Sequence, residues 1–247
     1  MSGHSKWHNI RLRKGKQDAV RGKLFTKLAK EIILAARAGG GNPDTNNTLR
    51  MAITTARANS MPADNIKRSI QKGIGELEGG NLDERIFEGY GQGGVAIIVQ
   101  CLTDNINRTF PNIKATFSKR GGRLGETGSV GYMFEQKGVF LIEPGKTNEE
   151  QLMEIALDAG ADDIQETEGG GFEVSCAFTD FAAVRDALDA AGIVCATAET
   201  TRIPTTTVSL PPDEERKFLA LIDAIEEDED VQNLYHNCEL SDEALEG

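Results

Sequence analysis

The chain has 247 residues, 39% of them hydrophobic and 27% charged, with a formal net charge of −12. That mixture excludes a disordered tail and a fibrous repeat, and the length allows two or three domains with cores of their own. No stretch nears the roughly 20 apolar residues a membrane span needs, and residues 1–16 lack the apolar segment of a secretory signal, so no membrane contact and a cytoplasmic address are expected.

The total charge hides an asymmetry. Residues 1–80 hold 15 Lys and Arg against 6 Asp and Glu, whereas residues 81–247 hold 12 against 33. One end is suited to polyanions and the rest repels them. The cysteines Cys101, Cys176, Cys195 and Cys238 are widely spaced, without the Cys-x-x-Cys pairs of a zinc site. All four are expected as thiols, and Cys101 and Cys176 lie in apolar runs that read as core.

Residues 1–15 are a basic arm. A helix is expected over residues 17–38, because Leu24, Phe25, Leu28, Ala29, Ile32, Ile33 and Ala36 recur at helical spacing. On that wheel Lys16, Lys23, Lys27, Lys30 and Arg37 fall within about 80° of one another, opposite the apolar face. A second helix carries Leu49, Ala52, Ile53 and Ala56. A third follows Pro62, with Ala63, Ile66 and Ile70 inward and Lys67, Arg68 and Lys72 outward. Three such helices make a small bundle. Residues 75–81 are a glycine-rich, acidic linker.

The period then changes. Residues 94–102 read as a strand and residues 109–120 as a helix with Phe110, Ile113 and Phe117 on one face. Val130, Tyr132 and Phe134 alternate as a strand does. Residues 139–201 contain strand, helix, two strands, helix and strand, the βαββαβ order of a ferredoxin-like unit. A strand at 205–210, a helix at 213–226 and a strand at 231–236 follow, and with residues 94–136 they complete a second such set. The expected class is therefore α+β: an N-terminal three-helix domain followed by two ferredoxin-like α+β domains, one inserted in the other. The expected boundaries are 1–80 for the basic helical domain, 81–137 plus 203–247 for the discontinuous domain, and 138–202 for the insert.

The chemistry concentrates in cations. From Lys6 to Lys30 there are nine Lys and Arg and one acid, Asp18. Cations neutralise phosphates and release counterions, which gives affinity without sequence preference. Trp7, the only tryptophan, lies inside this run; it either stacks on an unpaired base or packs under the bundle. A second cluster, Lys114, Lys119, Arg120 and Arg123, surrounds a glycine turn, where it serves phosphate contact or the helix dipole. Residues 103–108 form a polar turn that serves ligand recognition or, more simply, capping. The run Gly89–Gly94 precedes a strand, so it is a turn or a close backbone approach and not a dinucleotide fingerprint. His4 and His8 lack a third ligand nearby. No metal, cofactor or catalytic signature is evident, and an enzyme is not expected.

Several segments are recognisable together. Residues 2–10 (SGHSKWHNI), 21–28 (RGKLFTKL), 61–66 (MPADNI), 87–91 (FEGYG), Leu102-Thr103-Asp104-Asn105 with Asn107-Arg108-Thr109, and Gly121-Gly122 with Leu124-Gly125 and Gly128-Ser129-Val130 resemble the YebC/PmpR family. Phe87 and Gln92 depart from the tyrosine and proline expected there. The resemblance implies a helical N-terminal domain, two α+β domains, and regulation of transcription through DNA or of translation at the ribosome. It carries over a nucleic-acid-binding segment comprising Lys6, Trp7, His8, Arg11, Arg13, Lys14, Lys16, Arg21, Lys23 and Lys27.

With Lys30, Lys114, Lys119, Arg120 and Arg123, these residues form the expected binding set. The expected partner is DNA or ribosomal RNA, bound by a monomer. Few side chains on the basic face suit base readout, and an Arg- and Lys-rich arm with one Trp suits RNA shape and unpaired bases. The transcriptional reading and the ribosomal one both remain open at this stage.

Overall fold

The computed structural model describes residues 21–167 and 169–241. They form two compact units: residues 132–207, and residues 21–131 together with 208–241. Among them no helix is long and apolar enough to cross a membrane.

The larger unit opens with three helices: α1 (Arg21–Gly39), α2 (Asn47–Ala58) and α3 (Ala63–Gly73). Leu28, Ile32, Ala36, Leu49, Ile53, Ala56 and Ile66 make their shared core, as the helical periodicity predicts. The buried Asn46 staples the first corner. Its side-chain amide donates to Ala35 O and Gly40 O, both at 2.8 Å, and its carbonyl accepts from Leu49 N at 3.0 Å. Gly73 permits the close crossing of α1 and α3, since a Cβ there would lie 2.5 Å from Ile33 O.

Strand β1 (Asp83–Tyr90) pairs with β2 (Ala96–Thr103), helix α4 (Ile106–Lys119) follows, and β3 (Arg123–Leu124) returns to the far edge of β1. After the smaller unit the chain adds β8 (Val208–Ser209), helix α7 (Pro212–Glu226), β9 (Val231–His236) and β10 (Cys238–Glu239). The sheet order is β3-β1-β2-β9, while β8 and β10 pair separately. Ile97, Val99 and Cys101 alternate toward Ile113 and Phe117 of α4 and Phe218, Leu221 and Ile225 of α7. On the opposite face Leu102 packs with Leu82 and with Ile33 and Leu34 of α1. Burial on both faces explains the unbroken apolar run of β2.

The smaller unit holds β4 (Phe134–Ile142), α5 (Glu149–Leu152, continued by a π turn over Met153–Leu157), β5 (Ala161–Glu166), β6 (Phe172–Ala177), α6 (Phe181–Ala190) and β7 (Cys195–Pro204). Its order is β5-β6-β4-β7, all antiparallel, as the βαββαβ reading requires. Phe140, Val174, Cys176, Val184 and Leu188 fill its core.

The α+β class holds, with corrections to individual elements. The strand beside β2 in the flanking sheet is β1 and not residues 130–134, where Gly131–Met133 is a single tight turn and Tyr132 is 77% exposed. The expected strand at 205–210 shrinks to two residues. Phe110 turns outward and Thr109 takes its inward place. All four cysteines are free, and burial pushes Cys101 and Cys238 up to about 12 and Cys176 and Cys195 up to about 11. They remain neutral thiols near neutral pH.

One carboxylate ties the helical head to the sheet. Asp230, in the turn before β9, receives Lys30 Nζ at 2.8 Å, Arg108 Nη2 at 2.8 Å and Thr109 Oγ1 at 2.7 Å. Lys30 also donates to Leu102 O and Glu229 O. Burial by itself would raise the Asp230 carboxyl, but the hydrogen bonds from Arg108, Lys30 and Thr109 outweigh it and hold the group down at about 2.

Replacing Asp230 by Asn leaves Lys30 uncompensated in a site where its side chain is 12% exposed. The expected loss is about 3 kcal/mol in urea unfolding at neutral pH. Because the folded group lies below the ordinary aspartate value of 3.8, its stabilisation is complete above that pH and disappears as pH falls toward 2. The gap between wild type and Asp230→Asn should therefore narrow by about 2 kcal/mol across that window. A gap independent of pH would remove the carboxylate as its source.

Candidate nucleic-acid interface

Of the residues expected to bind nucleic acid, Lys6, Trp7, His8, Arg11, Arg13, Lys14 and Lys16 lie outside the described residues, as does the side chain of Arg21. Lys23 and Lys27 are half-buried along α1. Lys30 is committed to Asp230 and to two carbonyls. Arg37, from the same stripe, donates to Leu82 O at 2.7 Å. The stripe thus divides along its length. Its C-terminal half docks α1 onto the sheet, because Ile33 and Leu34 give α1 a second apolar seam.

The second cluster is built by β1. Lys119 ends α4, Arg120 caps it, and Gly121, at φ +81°, turns the chain toward Arg123 on β3. All three cations are exposed. Gln92 Nε2 donates to Arg120 O at 2.7 Å and so ties the turn to the β1–β2 connection. A proline at that position would have no such donor. The Arg123 guanidinium lies 4.8 Å from the Tyr90 ring centroid, a cation–π contact that orients it. Tyr90 in turn donates its hydroxyl to Ser129 O at 2.9 Å.

Beneath the following loop, the buried Glu88 carboxylate accepts the backbone N–H groups of Gly128, Val130 and Gly131 at 2.7–2.8 Å. Gly125 N donates to Glu88 O at 2.8 Å. A glycine-rich loop that would otherwise sample many conformations is held on β1 by side chains spaced two apart. The turn that carries Arg120 and Arg123 is ordered separately, by the Gln92 bond and the Tyr90 contact.

Lys114 does not join this group. It lies about 140° around the helix from Lys119 and sits 5.9 Å from the Phe110 ring. Phe110 contacts Phe87 at 6.0 Å, so Lys114 covers an apolar pair.

Glu88, Tyr90 and Gln92 were not in the expected set. The available signal was an acid at an alternating position next to the Gly89–Gly94 run, which reads as a turn when its partners 40 residues on are unseen. Residues 103–108 do cap α4, with Asn105 Oδ1 accepting from Arg108 N at 3.3 Å. Gly89 is a close approach, since a Cβ would lie 2.7 Å from Arg123 O.

Replacing Glu88 by Ala leaves three backbone donors unsatisfied in a site where the residue is 7% exposed. The expected cost is about 2–3 kcal/mol, with faster amide exchange at Gly128, Val130 and Gly131. Unchanged exchange at these three positions would show that the loop does not depend on the carboxylate.

The geometry has counterparts in known proteins. Residues 5–76 match the family described as the TACO1/YebC protein N-terminal domain, and residues 82–238 match the TACO1/YebC second and third domain. A relative from Clostridium tetani, named a probable transcriptional regulatory protein, is 52% identical over 244 residues, 98% of this chain and 99% of its own length. One of the same name from Idiomarina loihiensis is 51% identical, covering 99% of this chain and 98% of itself. The crystal structure of a conserved hypothetical protein from Aquifex aeolicus superposes with a TM-score of 0.79 at 41% identity, covering 92% of this chain and 94% of that one. The chain belongs to the TACO1/YebC family.

Proposed function

We propose that the chain is a non-enzymatic regulator that binds nucleic acid through phosphates, with transcription as its field of action. The observation that carries this reading is the separation of charge: 15 Lys and Arg against 6 acids in residues 1–80, and 12 against 33 in the remainder. The arm cations Lys6, Arg11, Arg13, Lys14 and Lys16 supply attraction, and the acidic body limits non-productive contact with polyanions. Arg120 and Arg123 add a second phosphate contact on a preordered turn. The names of the relatives from Clostridium tetani and Idiomarina loihiensis support the regulatory assignment.

A second reading, a translation factor on ribosomal RNA, is favoured by one feature. Between Leu28 and Ala36, α1 is buried against α2 and α3 on one side and against Leu82 and Leu102 on the other. A helix enclosed in this way does not enter a major groove along that length. Phosphate and shape recognition, the usual mode on structured RNA, need no such entry.

Crosslinking in cells followed by sequencing separates the two. DNA peaks upstream of genes establish the transcriptional regulator, and ribosomal RNA reads concentrated at a few positions establish the translation factor. In vitro, log K should fall linearly with log salt. Replacing Arg11, Arg13, Lys14 and Lys16 together by Ala should flatten that line by about 3–4 units of slope on duplex DNA, and replacing Arg120 and Arg123 by about 2. Unchanged slopes in both variants would remove the phosphate-binding reading.

A further inference from the structure

A cleft of about 660 Å³ opens in the larger unit between α1, α3, the β2–α4 turn and the turn before β9. Its size falls in the range of roughly 300–1,000 Å³ typical of small-ligand sites. Ala29, Ile33, Met61 and Leu82 give it an apolar floor, with Phe25 at its edge. Four cations line it, and they are not equivalent. Lys30 and Arg108 are held by Asp230, and Arg108 also by Asp104. Arg68 and Lys72, one turn apart on α3, make no ion pair among the described residues. Side chains four apart on a helix are neighbours, so the two present a paired positive wall. Asn65 and Ser69 extend that wall with neutral polar groups, and the exposed Glu229 lies across the cleft.

We propose that this cleft holds one unpaired nucleotide, with its phosphate on Arg68 and Lys72, its base on the apolar floor, and the base amino group donating to Glu229. A paired cation wall suits a phosphate. An apolar floor in a cleft of this size suits one base, and a base still stacked in a duplex cannot reach it. The assignment rests on the nucleic-acid reading for the source of the nucleotide and adds to it a preference for looped or single-stranded segments.

The test uses the full chain, methyl-labelled for NMR and titrated with guanosine 5′-monophosphate. Saturable shifts at the Ala29, Ile33 and Met61 methyls are expected. The Arg68→Ala/Lys72→Ala variant should weaken them about tenfold or more, the loss expected when charge-assisted hydrogen bonds to phosphate are removed. Ala29→Phe, which keeps both cations and fills the floor, should abolish them. Inorganic phosphate should bind more weakly than the nucleotide, and equal binding would overturn the base site. Absence of methyl shifts, or shifts indifferent to the Arg68/Lys72 pair, overturns the cleft assignment even if the chain still binds long nucleic acid. Nucleotide shifts in a chain that retains neither DNA nor RNA support the cleft and sink the functional reading instead.

Discussion

The Asp230 carboxylate is the contact on which the larger unit depends. It gathers a lysine from α1, an arginine and a threonine from α4, and Thr103 from the end of β2, while its own carbonyl accepts Leu102 N at 2.7 Å. Three segments far apart in sequence, α1, the β2–α4 corner and the turn before β9, therefore meet at one charge. Desolvating an acid and a lysine is expensive, and an apolar trio of the same volume is often as stable. What the charge adds is geometry. Lys30 must reach one oxygen and Arg108 the other edge, so α1 and α4 take fixed positions relative to β9. The apolar contacts of Ile33 and Leu34 with Leu82 and Leu102 supply much of the adhesion but little of this direction.

Much of the fold was legible because it is local. The smaller unit is contiguous, and each of its strands and helices carries its own periodicity, so βαββαβ could be read along the chain. The three helices were equally plain. The failures share a cause. Strand β1 was hidden by Glu84, Arg85 and Glu88, which look like solvent-facing charges. Glu88 is buried only because a loop 40 residues later places N–H groups on it. Residues 130–134 alternate convincingly, yet Val130 belongs to that loop and Phe134 to the next unit. Lys30 was indistinguishable from Lys23 and Lys27, since its partner stands 200 residues away. Periodicity reports which face is apolar. It does not report that a helix has two covered faces.

The same limit governed the reading of the cations. Composition located the positive charge, and the resemblance located the motifs, but neither separated cations that hold the protein together from cations that face outward. The structure makes that separation for the described residues. Lys30, Arg37 and Arg108 are engaged by contacts within the protein. Lys114 covers an aromatic pair. Arg120 and Arg123 are exposed on a turn braced by Gln92 and by the Tyr90 ring. Mutating every lysine and arginine in the motif would therefore mix loss of folding with loss of binding.

If the chain binds nucleic acid as proposed, bracing also bears on how a basic face with so few base-reading side chains could be selective. Phosphate contacts from a basic arm follow any polyanion and weaken steeply with salt. Selectivity then has to come from shape: where the second set of cations stands, and how firmly. A loose glycine loop would let Arg120 and Arg123 follow whatever backbone the arm had caught. Held by the Gln92 bond to Arg120 O and by the Tyr90 ring against Arg123, they would, on the proposed reading, be satisfied only by a backbone whose phosphates pass at their position. The acidic surroundings sharpen this condition, because a strand that misses the turn meets repulsion instead of neutral surface. On that reading Gln92 and Tyr90, which need touch no nucleic acid, would contribute to specificity by limiting the geometries Arg120 and Arg123 accept.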